Sequence, residues 1–424
     1  MIRWSDEQEM VRQAVRGFVD SEIRPHREAL EFGDMAPYDL LRKMFKTFGM
    51  DALARDSFAK RIARERAIES GEQDPGEKGS GGTDSGDDQP SSPILDANMV
   101  AFSVIPIIEL CRVCPGMVTA MGVSMGLTGA AVMSKGTIEQ KERWGLDLLT
   151  MDKIGAWAIT EPDSGSDAFG SMKATARRDG DEYILNGSKT FITNGPYADV
   201  IVFICKLDEG NPPAERTVLQ FVLDSGMEGL EQPKPFRKMG IHSSPTGMLY
   251  LNDVRVGADR LLGGSEDAFR GSGGRDASKA TFSMERTGVA AMSLGIVDRC
   301  LELSIGYARE REQFGQPIGQ FQLIQLKLAK MEVARMNLQN LVFRHIESAV
   351  AGEAISFAEA SAAKLYAAQT ATEVALEAVQ LFGGNGYMAE YEVEQLARDA
   401  KVLQIYAGTD EIQISQIARS LLEA

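Results

Sequence analysis

Three short runs of this 424-residue chain hold residue types suited to chemistry. Thr160-Glu161-Pro162-Asp163-Ser164-Gly165-Ser166-Asp167 crowds hydroxyls and backbone N–H donors into one turn, which suits a polar ligand edge or a pyrophosphate. Alone, an Asp/Ser/Gly turn needs no ligand. Phe191-Ile192-Thr193-Asn194-Gly195 places an aromatic ring and a hydroxyl just before an Asn-Gly turn; by itself it is a strand end. Gln380 to Thr409 contains Gly383, Gly384 and Gly386, where a missing Cβ lets a ligand approach the backbone. An amphipathic helix ending Arg398-Asp399-Ala400-Lys401 follows, and then the turn Tyr406-Ala407-Gly408-Thr409.

Composition narrows the chemistry. Hydrophobic residues make up 44% and charged residues 25%, as in a soluble globular protein. The net charge of −16 argues against nucleic acid or an anionic membrane as the main partner. Three histidines (His26, His242, His345) are too few for a histidine-based metal site or a Ser-His-Asp hydrolase. Four cysteines fit a reducing compartment, and Cys111 and Cys114 form a lone CxxC read as structural. The N-terminus lacks the order of a signal peptide, giving a cytoplasmic expectation. The longest apolar stretch, Met117 to Met133, is interrupted by glycines and hydroxyls and reads as a buried core helix, without membrane insertion.

The length calls for two or three domains. Ser5 and Gln8 have capping-box spacing, and Val11, Val15, Phe18, Val19 and Ile23 share a helical face that Pro25 should stop. Helices are also expected around Leu40–Phe45, Val100–Leu110 and Met117–Met133. Between them, 71–93 has almost no apolar residue and reads as a mobile loop. From 154 the texture becomes β-rich. Strands are expected at Ile154–Ile159, Tyr183–Leu185, Lys189–Thr193, Val200–Lys206, Thr217–Leu223 and Met248–Val254, with Asn186-Gly187, Asp208-Glu209-Gly210 and Asp224-Ser225-Gly226 as turns. After a Gly-rich linker, Glu285–Arg311, Phe321–Glu347, Ser356–Phe382 and Val393–Gln404 carry the periodicity of an antiparallel bundle. The expected fold is α+β multidomain: a helical domain at 1–152, a β-domain at 153–272 and a four-helix bundle at 273–424.

The runs above, taken in order with Arg309-Glu310-Arg311-Glu312-Gln313-Phe314-Gly315, resemble the signatures of the acyl-CoA dehydrogenase family over nearly the whole chain. Each is weak alone, and the Arg309 run by itself would be a solvated helix end; four in order are specific. The resemblance implies FAD as cofactor and α,β-desaturation of an acyl-CoA thioester, in fatty acid or branched-chain amino acid catabolism. A base would take the α-proton while a β-hydride passes to flavin N5. It assigns Thr160, Ser166, Phe191, Thr193, Arg311, Phe314, Gln322, Gln380, Gly384 and Thr409 to the cofactor. Arg311, Phe314 and Gln322 would reach the dinucleotide of a neighbouring subunit, which implies at least a dimer; the family is usually a homotetramer. Electron-transfer flavoprotein is the implied electron acceptor.

One departure matters. Well-known members carry the catalytic Glu where this chain has Ala407, which cannot accept a proton. Isovaleryl-CoA and long-chain members place the base at a helix start instead, in a segment like Phe282-Ser283-Met284-Glu285-Arg286. Glu285 is therefore the expected base, provided desolvation raises its pKa; otherwise it is a first-turn Glu favoured by the helix dipole. The Ala407 backbone N–H remains as a donor to the thioester carbonyl. An acyl-CoA oxidase and a catalytically silent flavin-binding subunit fit the same signatures. A short or branched acyl group is the working substrate class.

Overall fold

The computed structural model describes residues 3–33, 35–72, 97–269, 273–353 and 355–423. Most of the 71–93 segment lies outside the described residues, so the expectation of a mobile loop there is not addressed.

The N-terminal third is helical: α1 (Asp6–Phe18), α2 (Arg27–Phe32), α3 (Tyr38–Thr47), α4 (Met50–Glu69), α5 (Ala97–Cys111), α6 (Pro115–Met121), α7 (Ala130–Lys135), α8 (Ile138–Gln140) and α9 (Leu146–Leu149). The capping box is real: Ser5 Oγ accepts from Gln8 N–H, and the Gln8 side chain accepts from Ser5 N–H. Pro25 does not stop the run. The chain passes from α1 through a wide turn at Val19–Ile23 and a tight one at Arg24–His26 into α2, because wider and tighter helical turns re-pair the groups a proline leaves orphaned. The apolar 115–135 segment is one long helical run with a wide-turn stretch at Gly122–Gly129, and most of it is buried. Cys111 and Cys114 are buried and free, with thiol pKa values pushed up by burial, as a structural role requires.

The middle of the chain is one sheet of β1 (Gly155–Ala158), β2 (Thr175–Asp179), β3 (Glu182–Thr193), β4 (Val200–Leu207), β5 (Val218–Asp224), β6 (Leu230–Glu231) and β7 (Thr246–Gly257). Its order is β1-β4-β2-β3-β7-β6, with β5 on the free side of β4. Every residue of β4 is buried, so it forms the centre of the sheet's core. Two expected strands are one: Asn186-Gly187 is not a turn but an irregularity inside β3, where Gly187 (φ 148°) sits against Ala174 and the register with β7 slips. Asn-Gly favours left-handed backbone in a bulge as readily as in a hairpin, so the dipeptide alone does not distinguish them.

The C-terminal third contains α10 (Gly273–Glu310), a hairpin of β8 (Glu312–Gln313) and β9 (Gln316–Pro317), α11 (Gln322–Ala351), α12 (Phe357–Phe382), α13 (Glu392–Val402) and α14 (Asp410–Glu423). Helices α5, α10, α11, α12 and α13 share one apolar core with α1 and α3, while the sheet forms a second core with α7 and α9. The N- and C-terminal helices thus form one packed body with the sheet docked on it, matching the expected helix–sheet–helix architecture.

Candidate functional site

The turn after β1 is held from below. Lys189, fully buried on β3, donates Nζ to Ile159 O (3.0 Å) and Glu161 Oε1 (2.9 Å). Glu161 in turn accepts the N–H groups of Lys173 (2.6 Å) and Ala174 (2.9 Å). A buried carboxylate survives only when paired and hydrogen-bonded in this way. The result fixes Thr160, half-buried at the end of β1, and leaves Ser166 exposed on the turn. Ser164, by contrast, is buried and turned inward onto Asp167 O (2.6 Å).

Phe191 lies beside this turn with left-handed backbone (φ 57°) and 68% of its surface exposed, its ring 6.0 Å from Phe236. A bulky residue in that backbone region is strained, and an exposed ring at the end of a buried strand is an apolar platform waiting for a flat partner. Thr193 is half-buried opposite Thr246. Asn194 (φ 64°) then anchors the strand end: its Nδ2 donates to Ala120 O and Gly155 O (both 2.9 Å), and its Oδ1 accepts from Tyr38 (3.0 Å). The platform is therefore fastened directly to α6.

Glu285 is half-buried and lies inside α10 rather than at a helix start, because the helix already begins at Gly273; a first-turn Glu held by the helix dipole is therefore not what the structure shows. Burial pushes its carboxyl up to about 7, against the opposing pull of Arg286 and Lys364, and among the described residues no hydrogen bond contributes. Its neighbour Arg286 brings Nη2 within 3.6 Å of where a Cβ on Gly408 would stand, which sets this stretch of α10 against the 406–409 turn. Tyr406 lies beside Thr119 and within the field of Glu285, and its hydroxyl donates to Met292 Sδ (3.3 Å). Ala407 is left-handed (φ 53°), and among the described residues its N–H makes no hydrogen bond. Thr409 is half-buried just beyond, where its Oγ1 accepts from Ile412 N–H (3.4 Å).

The remaining candidates gather elsewhere. Arg311, exposed, closes the hairpin by accepting Ile318 N–H on its carbonyl (2.8 Å). Phe314 at the hairpin tip is 95% exposed with left-handed backbone, and Gln322 opens α11 at the surface. Gln380 and Gly384 are exposed at the end of α12 and in the turn after it. Tyr307 joins these two places: its hydroxyl donates to Phe382 O (3.3 Å) and accepts from Asn385 Nδ2 (3.0 Å). Along α10, Arg311 stands roughly 40 Å from Glu285 at 1.5 Å per residue. The two groups of candidate residues therefore stand far apart along α10 within one chain. Sequence reasoning also passed over Lys364 and Asp410, whose charges read as helix-surface residues, and Asn194 as an anchor.

The comparisons agree with this architecture. The acyl-CoA dehydrogenase middle-domain family matches residues 156–254, and the acyl-CoA dehydrogenase C-terminal-domain family matches residues 271–422. An acyl-CoA dehydrogenase of Bacillus subtilis is 34% identical over 424 residues, covering 99% of this chain and 98% of its own. A caffeyl-CoA reductase–Etf complex subunit of Acetobacterium woodii is 35% identical over 320 residues, 76% of this chain and 82% of that one. The solved butyryl-CoA dehydrogenase of Megasphaera elsdenii superposes with a TM-score of 0.79 at 30% identity, covering 100% of both chains. A glutaryl-CoA dehydrogenase of Mycobacterium smegmatis in complex with FADH2 superposes at 0.80 with 25% identity, covering 99% of this chain and 96% of that one. The chain belongs to the acyl-CoA dehydrogenase family. It is an oxidoreductase of the acyl-CoA-desaturating kind.

Proposed function

We propose that the protein desaturates a short or branched acyl-CoA with Glu285 as the base that removes the α-proton. The observation that carries this reading is the Glu285 carboxyl: among the described residues it makes no hydrogen bond, burial pushes it up to about 7, and its field reaches Tyr406, next to Ala407, which holds no carboxylate. A base poised near neutrality combines a deprotonated fraction with enough basicity to take a weakly acidic proton. The Ala407 N–H donates to the thioester carbonyl oxygen and stabilises the charge that develops there as the α-proton leaves.

FAD fits the residues present. Phe191 offers an exposed apolar face, the 160–167 turn offers hydroxyl and backbone donors, and a Cβ built on Gly384 would meet only open space. Thr160, Ser166, Phe191, Thr193 and Thr409 would hold the ring end; Arg311, Phe314, Gln322, Gln380 and Gly384 would hold the dinucleotide end. When bound, the flavin supplies the acceptor for the β-hydride. The separation of the two groups along α10 supports contribution of the second set by another copy of the chain, hence a homo-oligomer, with a tetramer as the expected form. The match to an Etf-complex subunit supports electron-transfer flavoprotein as the electron acceptor.

The test is anaerobic mixing of the yellow protein with a panel of acyl-CoAs while following the oxidised flavin band, for wild type and Glu285→Gln. Bleaching of wild type by a short or branched thioester, absent in the variant, supports base and substrate class together. A profile peaking at long straight chains rejects the substrate class, and undiminished reduction of the variant rejects the base. Peroxide production on readmission of air favours the oxidase alternative.

A further inference from the structure

Lys364 lies on α12 with none of its surface exposed, an expensive position for an ammonium group unless charge and hydrogen bonds compensate. Its Nζ donates to Gly408 O (2.8 Å) and stands 3.6 Å from Asp410 Oδ1. Asp410 Oδ2 is held by Gln369 Nε2 (3.2 Å) and Gln404 Nε2 (2.9 Å). From α14, fully buried Gln413 donates Nε2 to Ala407 O (3.0 Å) and Gly408 O (2.8 Å). Both carbonyls of the turn are thus tied to one buried polar layer, which holds Ala407 and Gly408 in their left-handed conformations (φ 53° and 86°). Among the described residues, the charged groups acting on Glu285 are Arg286 on its own helix and then Lys364 from α12, and the Tyr406 phenol lies within its field. Arg286 is held by α12 as well: Nη1 donates to Ser361 Oγ (2.8 Å), its guanidinium stacks 3.9 Å over the Phe357 ring, and Nη2 lies 3.6 Å from where a Cβ on Gly408 would stand. Lys364 faces Asp410, Arg286 and Glu285 together.

We propose that Lys364 is a positioning residue for the reaction: its buried ammonium fixes the 406–409 turn through Gly408 O and Asp410 and adds a second cation, after Arg286, to the field of Glu285. A single side chain then serves both the carbonyl-binding amide and the base, which keeps the two in register across separate helices. This inference rests on the proposed roles of Glu285 and the Ala407 amide. Burial lowers the Lys364 pKa, and Asp410 opposes that shift. Removing the cation leaves desolvation of Glu285 less opposed.

The experiment compares wild type, Lys364→Met and Lys364→Arg as FAD-loaded proteins with native melting behaviour. Two quantities are read: the pH profile of anaerobic flavin reduction, and the carbonyl stretch of a bound, non-reducing acyl-CoA analogue labelled at the thioester carbon. Lys364→Met should slow reduction ~10- to 100-fold, move the acid limb up by on the order of one pH unit and return the carbonyl stretch towards its value in water. Lys364→Arg should restore the limb. An unshifted limb together with an unshifted stretch in Lys364→Met overturns the proposal. If Lys364→Met does not hold FAD, Lys364→Arg carries the test: wild-type limb and stretch support the proposal, whereas a shift of both refutes it. Failure of the parent reading shows separately, as an unpolarised carbonyl in wild type or an undiminished rate in Glu285→Gln.

Discussion

Two carboxyl groups are pushed up to about 7, and they stand in unlike places. Glu285 is raised by burial, and among the described residues its carboxyl makes no hydrogen bond; Arg286 and Lys364, from two helices, oppose that rise. Asp399 is fully buried at the junction of three parts of the chain, raised by burial and by the negative Glu31 beside it. Its Oδ1 accepts Ile241 N–H from the middle domain, and its Oδ2 accepts from Gln395 (3.2 Å). A perturbed carboxyl alone thus does not mark a catalytic group. What separates the two is access: Glu285 fronts a turn with an unused donor, while every side of Asp399 is occupied.

His242 completes the junction. Both ring nitrogens lie 2.7 Å from carbonyl oxygens, Nδ1 from Glu31 O and Nε2 from Lys238 O. Carbonyls only accept, so the pocket favours the doubly protonated ring, and the His242 pKa is raised chiefly by the Glu31 carboxylate. One cation shared between α2 and the 238–242 segment thereby bolts sheet to helices, and Gly240 presses on the Arg398 backbone where a Cβ would clash at 2.6 Å.

The sharpest break in the comparison is kinetic. Glu285→Gln should slow flavin reduction by ~10²- to 10⁴-fold, whereas Asp399→Asn, if it folds, should leave the limiting rate within a few-fold; stopped-flow reduction with saturating thioester decides. Stability should show the reverse order. Asp399→Ala strands a buried N–H and opens a gap, and should cost about 2–4 kcal/mol in denaturant unfolding.

The next prediction concerns pH. Glu285 has a raised folded pKa, so its contribution to stability is complete below its ordinary value of 4.5 and is lost as pH rises through about 7. Glu285→Gln should therefore be more stable than wild type by about 1–3 kcal/mol at pH 8, with the difference fading towards pH 4.5. Equal melting at both pH values would remove the assumed desolvation. The smallest effect belongs to His242: its stabilisation is present below the ordinary histidine pKa and lost as pH rises through the raised one. His242→Gln should flatten that alkaline loss, by about 1 kcal/mol, visible as protection of the Ile241 amide in hydrogen exchange.

Much of this was legible along the chain. The Ser5 capping box, the strand now called β4 and the turns at Asp208–Gly210 and Asp224–Gly226 depend on residues close in sequence. Other features were not legible. Helix α4 has no apolar face to read and buries only Ile62; strand β2, Thr175–Asp179, is short, polar and mostly exposed. The Asn186–Gly187 irregularity was misread because its backbone preference is shared by hairpins and bulges.

The sequence by itself determined the order of helical, β and helical segments, the family, and the absence of a carboxylate at residue 407. Those follow from local propensity, periodicity and motif, all of which act over a few residues. Only the tertiary structure decided that Lys364, Asp399 and Glu31 are buried rather than solvated, and that one continuous helix runs through Glu285 to the edge of Arg311. A charge becomes tolerable in the interior through partners tens or hundreds of residues away, as Glu31 and Arg398 show at 3.5 Å, and no local pattern encodes such a pairing.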